Sequence, residues 1–348
     1  PNVYYINDGN GNLNFYQGAD PNGVPSGLGL VSNGGNYGTI WIDYDNDRDM
    51  DLFIAKCRGG SSSAKINELH RNNGDGTFTN VAGMPGVNLA DPIQTWSTAW
   101  GDYDNDGDMD VFIGASSLSD GGHKMMQNNG DGTFSDITST IGPDINALGT
   151  DIENVAADFN NDGYQDLFVV NGYDGLSEED SVRNIYTIFN ENPAVLYVNN
   201  GDNTFTERAT ELGAIHTQMG RGLGCFDYDR DGDQDMFIAN SGAAPTILRN
   251  NHFAQGQHFL NIRLQGLTAN PQAVGARVYI TVADEQRMIE LQLGNNYLSQ
   301  NPVEAHFGVG LAQQVDSVRI EWPGLGGDIT EMENVAIDQF LVIPHPDI

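Results

Sequence analysis

A phrase of alternating aspartates occurs four times and restricts the fold more than any other feature of the chain. The copies are WIDYDNDRDMDLFI from Trp41, WGDYDNDGDMDVFI from Trp100, AADFNNDGYQDLFV from Ala156 and CFDYDRDGDQDMFI from Cys225. Their first aspartates lie 56 to 69 residues apart, a spacing compatible with the blades of a β-propeller. We call the four repeats units one to four.

A second phrase follows the first in three units: RNNGDGTFTNV from Arg71, QNNGDGTFSDI from Gln127 and VNNGDNTFTER from Val198. The phenylalanines at 78, 134 and 205 hold the same place in all three copies. Short aromatic and β-branched runs such as LFI, VFI and LFVV flank Gly-rich turns, which favours four antiparallel strands per unit. One face of such a sheet must be covered by the next. The sequence therefore predicts an all-β fold, a calcium-binding β-propeller of about four recognisable blades.

The two ends of the repeat region look complementary. Residues 3–15, VYYINDGNGNLNF, resemble the second half of a unit, whereas unit four leaves the repeat after residue 250 without a GDGTF turn. We therefore predict that residues 3–15 complete a sheet with residues 225–250 and close the ring. A larger ring with blades outside this chain, or donation of the N-terminal strand to a neighbouring molecule, are the alternatives. Closure would make Cys57 and Cys225 neighbours, either as a disulfide or as two buried thiols.

The aspartate loop has the donor pattern of a calcium site. In unit two, Asp102, Asp104 and Asp106 alternate, Gly107 follows, and Asp110 ends a nine-residue loop. Calcium takes six to eight oxygen ligands, so these carboxylates, a backbone carbonyl from Asp108 and water would satisfy it. Magnesium prefers a tighter octahedron and retains its waters, and zinc prefers His or Cys. The loop therefore predicts calcium.

The four loops are not identical. Asn160 replaces a carboxylate in unit three, and Arg48 replaces the glycine in unit one, where a positive φ is expected. Sites one and three are therefore expected to bind calcium more weakly. The loops are not EF-hands, because the twelfth position lacks the required Glu and the flanking segments resemble strands. That position holds Ile54, Ile113, Val169 and Ile238.

Composition excludes several classes of protein. The formal net charge is −33, from 48 acidic and 15 basic residues, which disfavours binding to nucleic acid or anionic membranes. Two cysteines without a CxxC pair exclude a thiolate zinc site and a disulfide-rich scaffold. No apolar run is long enough to predict a transmembrane segment, and the chain begins without a signal segment. We therefore expect a mature, secreted, soluble product.

Two further regions depart from the repeat. The third unit carries an insertion, NGYDGLSEEDSVRNIYTIFNENP from Asn171 to Pro193, which is either a solvated loop or a binding loop. Residues 251–348 contain longer alternating strands, and Val318, Ile320 and Trp322 fall on one face of one of them. We predict a propeller over residues 1–250 and a small β-sandwich-like domain over 251–348.

These motifs resemble the FG-GAP or VCBS repeat family, whose DxDxDGxxD loops bind calcium on propeller blades. YLSQN at 297–301, HFGVG at 306–310 and VRIEWPG at 318–324 resemble the ASPIC and UnbV domain. The order of the two regions is similar to that of the cartilage acidic protein family and its bacterial relatives, an extracellular family. The resemblance implies up to four calcium ions, held by Asp43, Asp45, Asp47 and Asp51; Asp102, Asp104, Asp106 and Asp110; Asp158, Asn160, Asp162 and Asp166; and Asp227, Asp229, Asp231 and Asp235.

The sequence predicts a binding protein more strongly than an enzyme. It contains no GxSxG elbow, HExxH, P-loop or dinucleotide fingerprint. His70, His123 and His306 are expected to be structural, and Glu178, Glu179 and Asp180 a solvated charge run. We expect a non-enzymatic extracellular protein that binds an unidentified protein or glycan, in adhesion or surface or matrix assembly. A carbohydrate-active lyase or hydrolase is one alternative, and a homopolymer linked by strand donation is the other.

Overall fold

The computed structural model describes residues 4–7, 12–16, 27–28, 35–57, 65–115, 122–140, 142, 151–171, 193–251, 256–324 and 326–348. Most of the insertion in unit three, including the carboxylates at 178–180, lies outside these residues. The described part is all-β apart from one helical turn, as the sequence predicted.

Units one to three are four-stranded antiparallel sheets whose strands follow one another in chain order. Unit one contains β3 (Asn36–Ile42), β4 (Asp51–Lys56), β5 (Glu68–Asn72) and β6 (Phe78–Asn80). Unit two contains β7 (Thr95–Gly101), β8 (Asp110–Ala115), β9 (Lys124–Asn128) and β10 (Phe134–Asp136). Unit three contains β11 (Asp151–Ala157), β12 (Asp166–Asn171), β13 (Val195–Asn199) and β14 (Phe205–Glu207), followed by the helical turn α1 (Ala209–Leu212).

Unit four has three described strands, β15 (Gly220–Phe226), β16 (Asp235–Asn240) and β17 (Thr246–Leu248). In each unit the aspartate loop connects the first strand to the second. The second strands β4, β8 and β12 are buried at every position because both faces of their sheets are covered. This explains why LFI, VFI and LFVV are continuous apolar runs instead of alternating ones.

Successive units pack face to face. Phe53 and Leu69 of unit one share a core with Trp100 and Val111 of unit two. Phe112 of unit two packs with Leu167 and Tyr197 of unit three, and Phe168 of unit three packs with Leu223 and Ile238 of unit four. Each sheet therefore buries apolar side chains against the next.

The N-terminal hairpin does not complete unit four, so that prediction is wrong. Its strands β1 (Tyr4–Asn7) and β2 (Leu13–Tyr16) pair with each other, and Tyr4 packs against Leu28 and Leu52 on the side of unit one. The pairing of Asn7 with Leu13 matches that of Asn72 with Phe78. The hairpin therefore already contains the third and fourth strands of a unit, and it would duplicate β17 instead of supplying one missing strand.

The two thiols are free and buried in different parts of the core. Cys57 packs with Trp96, whereas Cys225 lies in the core between units three and four. The prediction that they are neighbours because units one and four meet is wrong, since one thiol lies between units one and two and the other between units three and four.

The C-terminal region forms two sheets around one core. One sheet contains β18 (His258–Gln265), β21 (Ala305–Gly310) and β24 (Gln339–Pro344), with β18 and β24 parallel. The other contains β19 (Arg277–Val282), β20 (Glu285–Glu290), β22 (Val315–Glu321) and β23 (Ile329–Val335). Val318, Ile320 and Trp322 all enter the shared core, as their alternation predicted.

Among the described residues, no helix has the length and apolar character needed to cross a membrane.

Candidate metal centres

The first aspartate of each loop closes a tight backbone turn. In unit two, the Asp102 carboxylate accepts hydrogen bonds from the backbone N–H groups of Asp106 at 3.0 Å and Gly107 at 3.1 Å. Corresponding bonds of 2.7 to 3.2 Å recur at Asp43, Asp158 and Asp227. The four loops therefore share one backbone geometry.

The closing aspartate joins each loop to the third strand of its sheet. Asp110 accepts backbone N–H bonds from Tyr103 at 3.2 Å and from Asn128 at 2.7 Å. Corresponding pairs of bonds are made by Asp51, Asp166 and Asp235. The role of this Asn was not predicted, although the Asn-Asn pair that opens the second phrase recurs in every unit, and in unit four as Asn250-Asn251.

The sixth position of every loop has a positive φ, as expected from its glycine. The angle is 91° at Gly107, 96° at Gly163 and 98° at Gly232, and Arg48 adopts 70° in unit one. A side chain at such a φ costs about 1–2 kcal/mol because Cβ approaches the following carbonyl. Arg48 is held there while its guanidinium pairs with Glu321 at 3.1 Å.

This strain leads to a prediction about unit one. Arg48→Gly should be more stable than Arg48→Ala by about 1 kcal/mol, because both lose the half-exposed ion pair but only glycine relieves the backbone. Chemical denaturation of the two variants measures the difference. Equal stabilities would show that the loop relaxes around an alanine at no cost.

Three loops bring carboxylates together closely enough to bind one ion. In each of these loops, the first, third and closing aspartates contribute one carboxylate oxygen each, and the three oxygens lie within 4.8 Å of one another. The groups are Asp43, Asp45 and Asp51; Asp102, Asp104 and Asp110; and Asp227, Asp229 and Asp235. The equivalent positions in unit three are Asp158, Asn160 and Asp166, so its loop has one carboxylate fewer.

The fifth-position aspartates, predicted as ligands, also bond to the loop backbone. One carboxylate oxygen of Asp106 accepts the backbone N–H of Asp108 at 3.0 Å, and the same turn recurs at Asp47, Asp162 and Asp231. None of these four belongs to the close carboxylate groups among the described residues. They stabilise the loop backbone, and the second oxygen of Asp162 accepts a bond from Asn160 at 2.8 Å while that of Asp231 pairs with Arg249 at 3.1 Å.

The donor set fits calcium. The groups contain carboxylate oxygens only, which suits a hard cation better than zinc. In unit one, the buried Asp45 Oδ1 has no hydrogen-bond partner. A buried carboxylate oxygen without a donor is costly, and a calcium ion bound by Asp43, Asp45 and Asp51 would satisfy it.

Burial and mutual repulsion destabilise the ionised carboxylates. Burial, with Asp45 nearby, raises the pKa of Asp51 to about 8. Burial, with Asp162 nearby, raises the pKa of Asp158 to about 7. The pKa values of Asp102 and Asp110 are raised well above the ordinary range for the same two reasons. A bound divalent cation favours the ionised forms and therefore opposes all of these shifts.

The fourth residue of the loop links neighbouring sites in units one to three. Asn46 bonds to Asp108, the Asn105 side chain donates to the Gly163 carbonyl at 3.1 Å, and the Asn161 side chain donates to the Gly232 carbonyl at 3.0 Å. The four loops therefore form one connected end of the repeat array. Asn at the same place in three units was the sequence signal for this contact, and it was missed.

The C-terminal domain rests on the loops of units one and three. Arg277 of β19 pairs with the carboxylate of Asp43 at 3.4 Å and with Glu290 at 3.1 Å. In unit three, the backbone N–H of Gly308 donates to Asp158 at 3.1 Å, and His306 bonds to Asn161 at 2.8 Å. The two sites expected to be weaker are thus the two in which this domain contacts the first aspartate.

A segment between β20 and β21 contacts the first strand of every unit. Tyr297 packs on Tyr37 and Trp96, at ring distances of 5.3 and 5.5 Å. Ser299 bonds to Glu153 of unit three and to the backbone of Leu223 in unit four. Asn301 accepts the backbone N–H of Cys225 at 2.8 Å. The YLSQN motif therefore connects the two regions.

Of the three histidines singled out from the sequence, His70 and His123 are buried and His306 is partly buried, and all three are bonded. His70 contacts Glu68 at 2.8 Å, and His123 accepts the backbone N–H of Ala115 at 2.9 Å. His306 borders a cavity of about 110 Å³ between the two regions, with Gln165, Gln234 and Gln292 also lining it. Burial lowers the pKa of His306 to about 4, so the ring is neutral at pH 7.

The geometry defines a repeat protein with aspartate loops and an appended β-domain, and comparison with known families agrees. Residues 43–113 and 114–169 match the FG-GAP-like repeat, and residues 266–348 match the ASPIC and UnbV domain. The chain therefore carries FG-GAP-like repeats followed by an ASPIC and UnbV domain.

The chain is similar to cartilage acidic protein 1. It is 29% identical to the human protein over 268 residues, covering 74% of this chain and 37% of that protein. It is 28% identical to the mouse protein, covering 74% and 38%, and 27% identical to that of Xenopus tropicalis, covering 86% and 43%. The chain spans about two fifths of the length of these relatives. The suspected resemblance to the cartilage acidic protein family is confirmed.

A solved structure, "Cryo-EM structure of RAG in complex with one melted RSS and one unmelted RSS", aligns with 85% of this chain and 95% of that chain. The TM-score is 0.32 and the identity 11%, values too low to support an inference.

Proposed function

We propose that the chain is a non-enzymatic, extracellular calcium-binding protein whose four units are blades of a β-propeller. The observation that carries the proposal is the recurrence of one carboxylate cluster, with oxygens within 4.8 Å, at the same loop in three units. Up to four calcium ions would be held, with the Asp108 carbonyl as a further ligand in unit two. The ions would stiffen a surface that binds another protein or a glycan. The role of this binding would be adhesion, or the assembly of a cell surface or matrix.

An extracellular location is supported by two arguments. Calcium modules of this kind work at the high calcium concentrations found outside cells, where moderate affinity is sufficient. The relatives are named for cartilage. The shared name does not identify a partner, so the partner is proposed only as a class.

The non-enzymatic part of the proposal is supported by the cavity next to His306. A propeller lyase or hydrolase would need several His, Tyr or Arg side chains around one pocket. The described lining of this cavity has His306 alone from that group. It also contains the carboxylates Asp158, Glu290 and Glu304, of which Asp158 is bonded to the Gly163 backbone and Glu290 to Arg277. A glycan panel with product analysis tests this point, and turnover of any glycan would favour the enzyme alternative.

Calcium binding can be measured directly. Protein stripped with a chelator is titrated with calcium in a calorimeter, with magnesium as the comparison ion. We expect calcium to bind at several sites and magnesium much more weakly, because magnesium sheds its waters reluctantly. Absence of calcium binding at millimolar concentration would contradict the proposal.

The sites are expected to differ in strength. Asp104→Ala or Asp229→Ala should weaken one calcium site at least tenfold, about 1.4 kcal/mol, because each removes a clustered carboxylate. Asn160→Ala should have a smaller effect because it removes a neutral ligand. The same titration ranks the three variants, and the reverse order would show that the ligands are assigned wrongly.

A further inference from the structure

In units two and three, a phenylalanine of the fourth strand is inserted toward the preceding unit. In unit two, Phe134 pairs with Asn128 in the sheet and stacks on Tyr44 of unit one, with ring centroids 6.2 Å apart. In unit three, Phe205 contacts Tyr103 of unit two at 5.9 Å. Both phenylalanines are buried.

Unit four has the same contacts before its sheet edge that precede the fourth strand in unit two. Asn250 makes the contacts of its counterpart Asn128: its backbone N–H donates to Asp235, and its side chain donates to the Phe159 carbonyl, both at 2.7 Å. Phe159 holds the place of Tyr44 and Tyr103 in unit three. Among the described residues, however, β17 pairs only with β16, and the sheet ends there.

A cavity lies where the missing phenylalanine would be. It measures about 330 Å³, and its apolar wall contains Phe159, Leu196, Leu212, Met236 and Leu248. Its polar rim contains Asn160 and Asp166 of unit three and Arg249 of unit four. A cavity of about 150 Å³ lined by apolar side chains is enough to bind benzene, so this one has room for an aromatic side chain. We call it the unit-four socket.

We propose that unit four binds an extended peptide segment of a partner polypeptide, which adds as a fourth strand along β17 and places an aromatic side chain in the unit-four socket. The chemistry of the ligand is defined by the chain's own repeats, in which a strand with Phe at this position completes the same sheet. Strand addition supplies backbone hydrogen bonds, and the socket selects the aromatic residue. The inference does not rest on the proposed calcium function, although Asn160 and Asp166 of the unit-three loop also line the socket.

The test uses a labelled peptide with the sequence of residues 129–138, NGDGTFSDIT, and the whole chain. Fluorescence anisotropy should show saturable binding, and replacing the phenylalanine of the peptide by alanine should weaken binding at least tenfold. Leu212→Trp, which fills the socket, should weaken it similarly. Ile215→Trp is the matched control, because Ile215 is exposed and lies outside the socket.

Four results would overturn the proposal. The first two are that the peptide does not bind, or that it binds equally with phenylalanine and with alanine. The third is that Leu212→Trp and Ile215→Trp lose the same peptide affinity. The fourth is that the free chain is an oligomer, which the peptide dissociates. The last would assign the socket to a second copy. Calcium titration of Leu212→Trp keeps a failure of this proposal distinguishable from a failure of the proposed calcium function, since the loops of units one and two lie outside the socket and should bind calcium as in the parent.

Discussion

Calcium removal is expected to lower the melting temperature of this protein by a large margin. A site at 100 times its dissociation constant contributes about 2.7 kcal/mol to folding, so several sites together rival a typical total stability of about 5–15 kcal/mol. Without the cation, the buried carboxylates must either repel one another or take up protons, as the raised pKa values of Asp51 and Asp158 indicate.

Scanning calorimetry with and without chelator measures this effect. Adding calcium back should restore the melting temperature, whereas adding magnesium should restore little of it. Elemental analysis of the purified protein is the companion measurement. An unchanged melting temperature, together with protein that contains no calcium, would contradict the metal assignment for all four loops.

Gly308→Ala is expected to destabilise the protein by about 2–3 kcal/mol, at the upper end of the range for overpacking. A Cβ at this position would lie 2.1 Å from Asp158 Oδ2 and 2.4 Å from the backbone Cα and C of Asn161. The Asn161 atoms belong to the backbone of a loop that is fixed by several hydrogen bonds. The C-terminal domain must therefore move away from unit three, and the Gly308 bond to Asp158 is lost.

Thermal unfolding of Gly308→Ala measures this loss. Gly224→Ala is the matched control, because a Cβ there would meet only Phe226, at 3.9 Å or more. We expect the control to unfold close to the parent. If the two variants were equally stable, the domain contact on unit three would be loose instead of close-packed.

Local sequence signals were sufficient for the repeat and for the carboxylate groups of three loops. Alternating aspartates around Gly107 fixed which side chains approach one another, because a nine-residue loop brings its own first, third and last residues together. The buried second strands were likewise visible as apolar runs. The alternation in Val318, Ile320 and Trp322 placed these residues in the C-terminal core.

Contacts between distant parts of the chain were not predictable in the same way. Asn105 reaches a carbonyl 58 residues away, and Gly308 reaches Asp158 over 150 residues. Neither contact follows from the periodicity of the nearby sequence, because each depends on how one sheet packs against another. The N-terminal hairpin was misassigned because its sequence shows that it belongs to some sheet but not to which one.

The position of the YLSQN segment has a consequence for synthesis. The chain is made from its N-terminus, at about 5–20 residues per second, and residue 297 follows the first strand of unit one by some 255 residues. For tens of seconds the first strands of the nascent units therefore exist before the segment that covers them. During this interval the aromatic surface of Tyr37 and Trp96 is open to chaperones, and release of the finished chain ends that exposure.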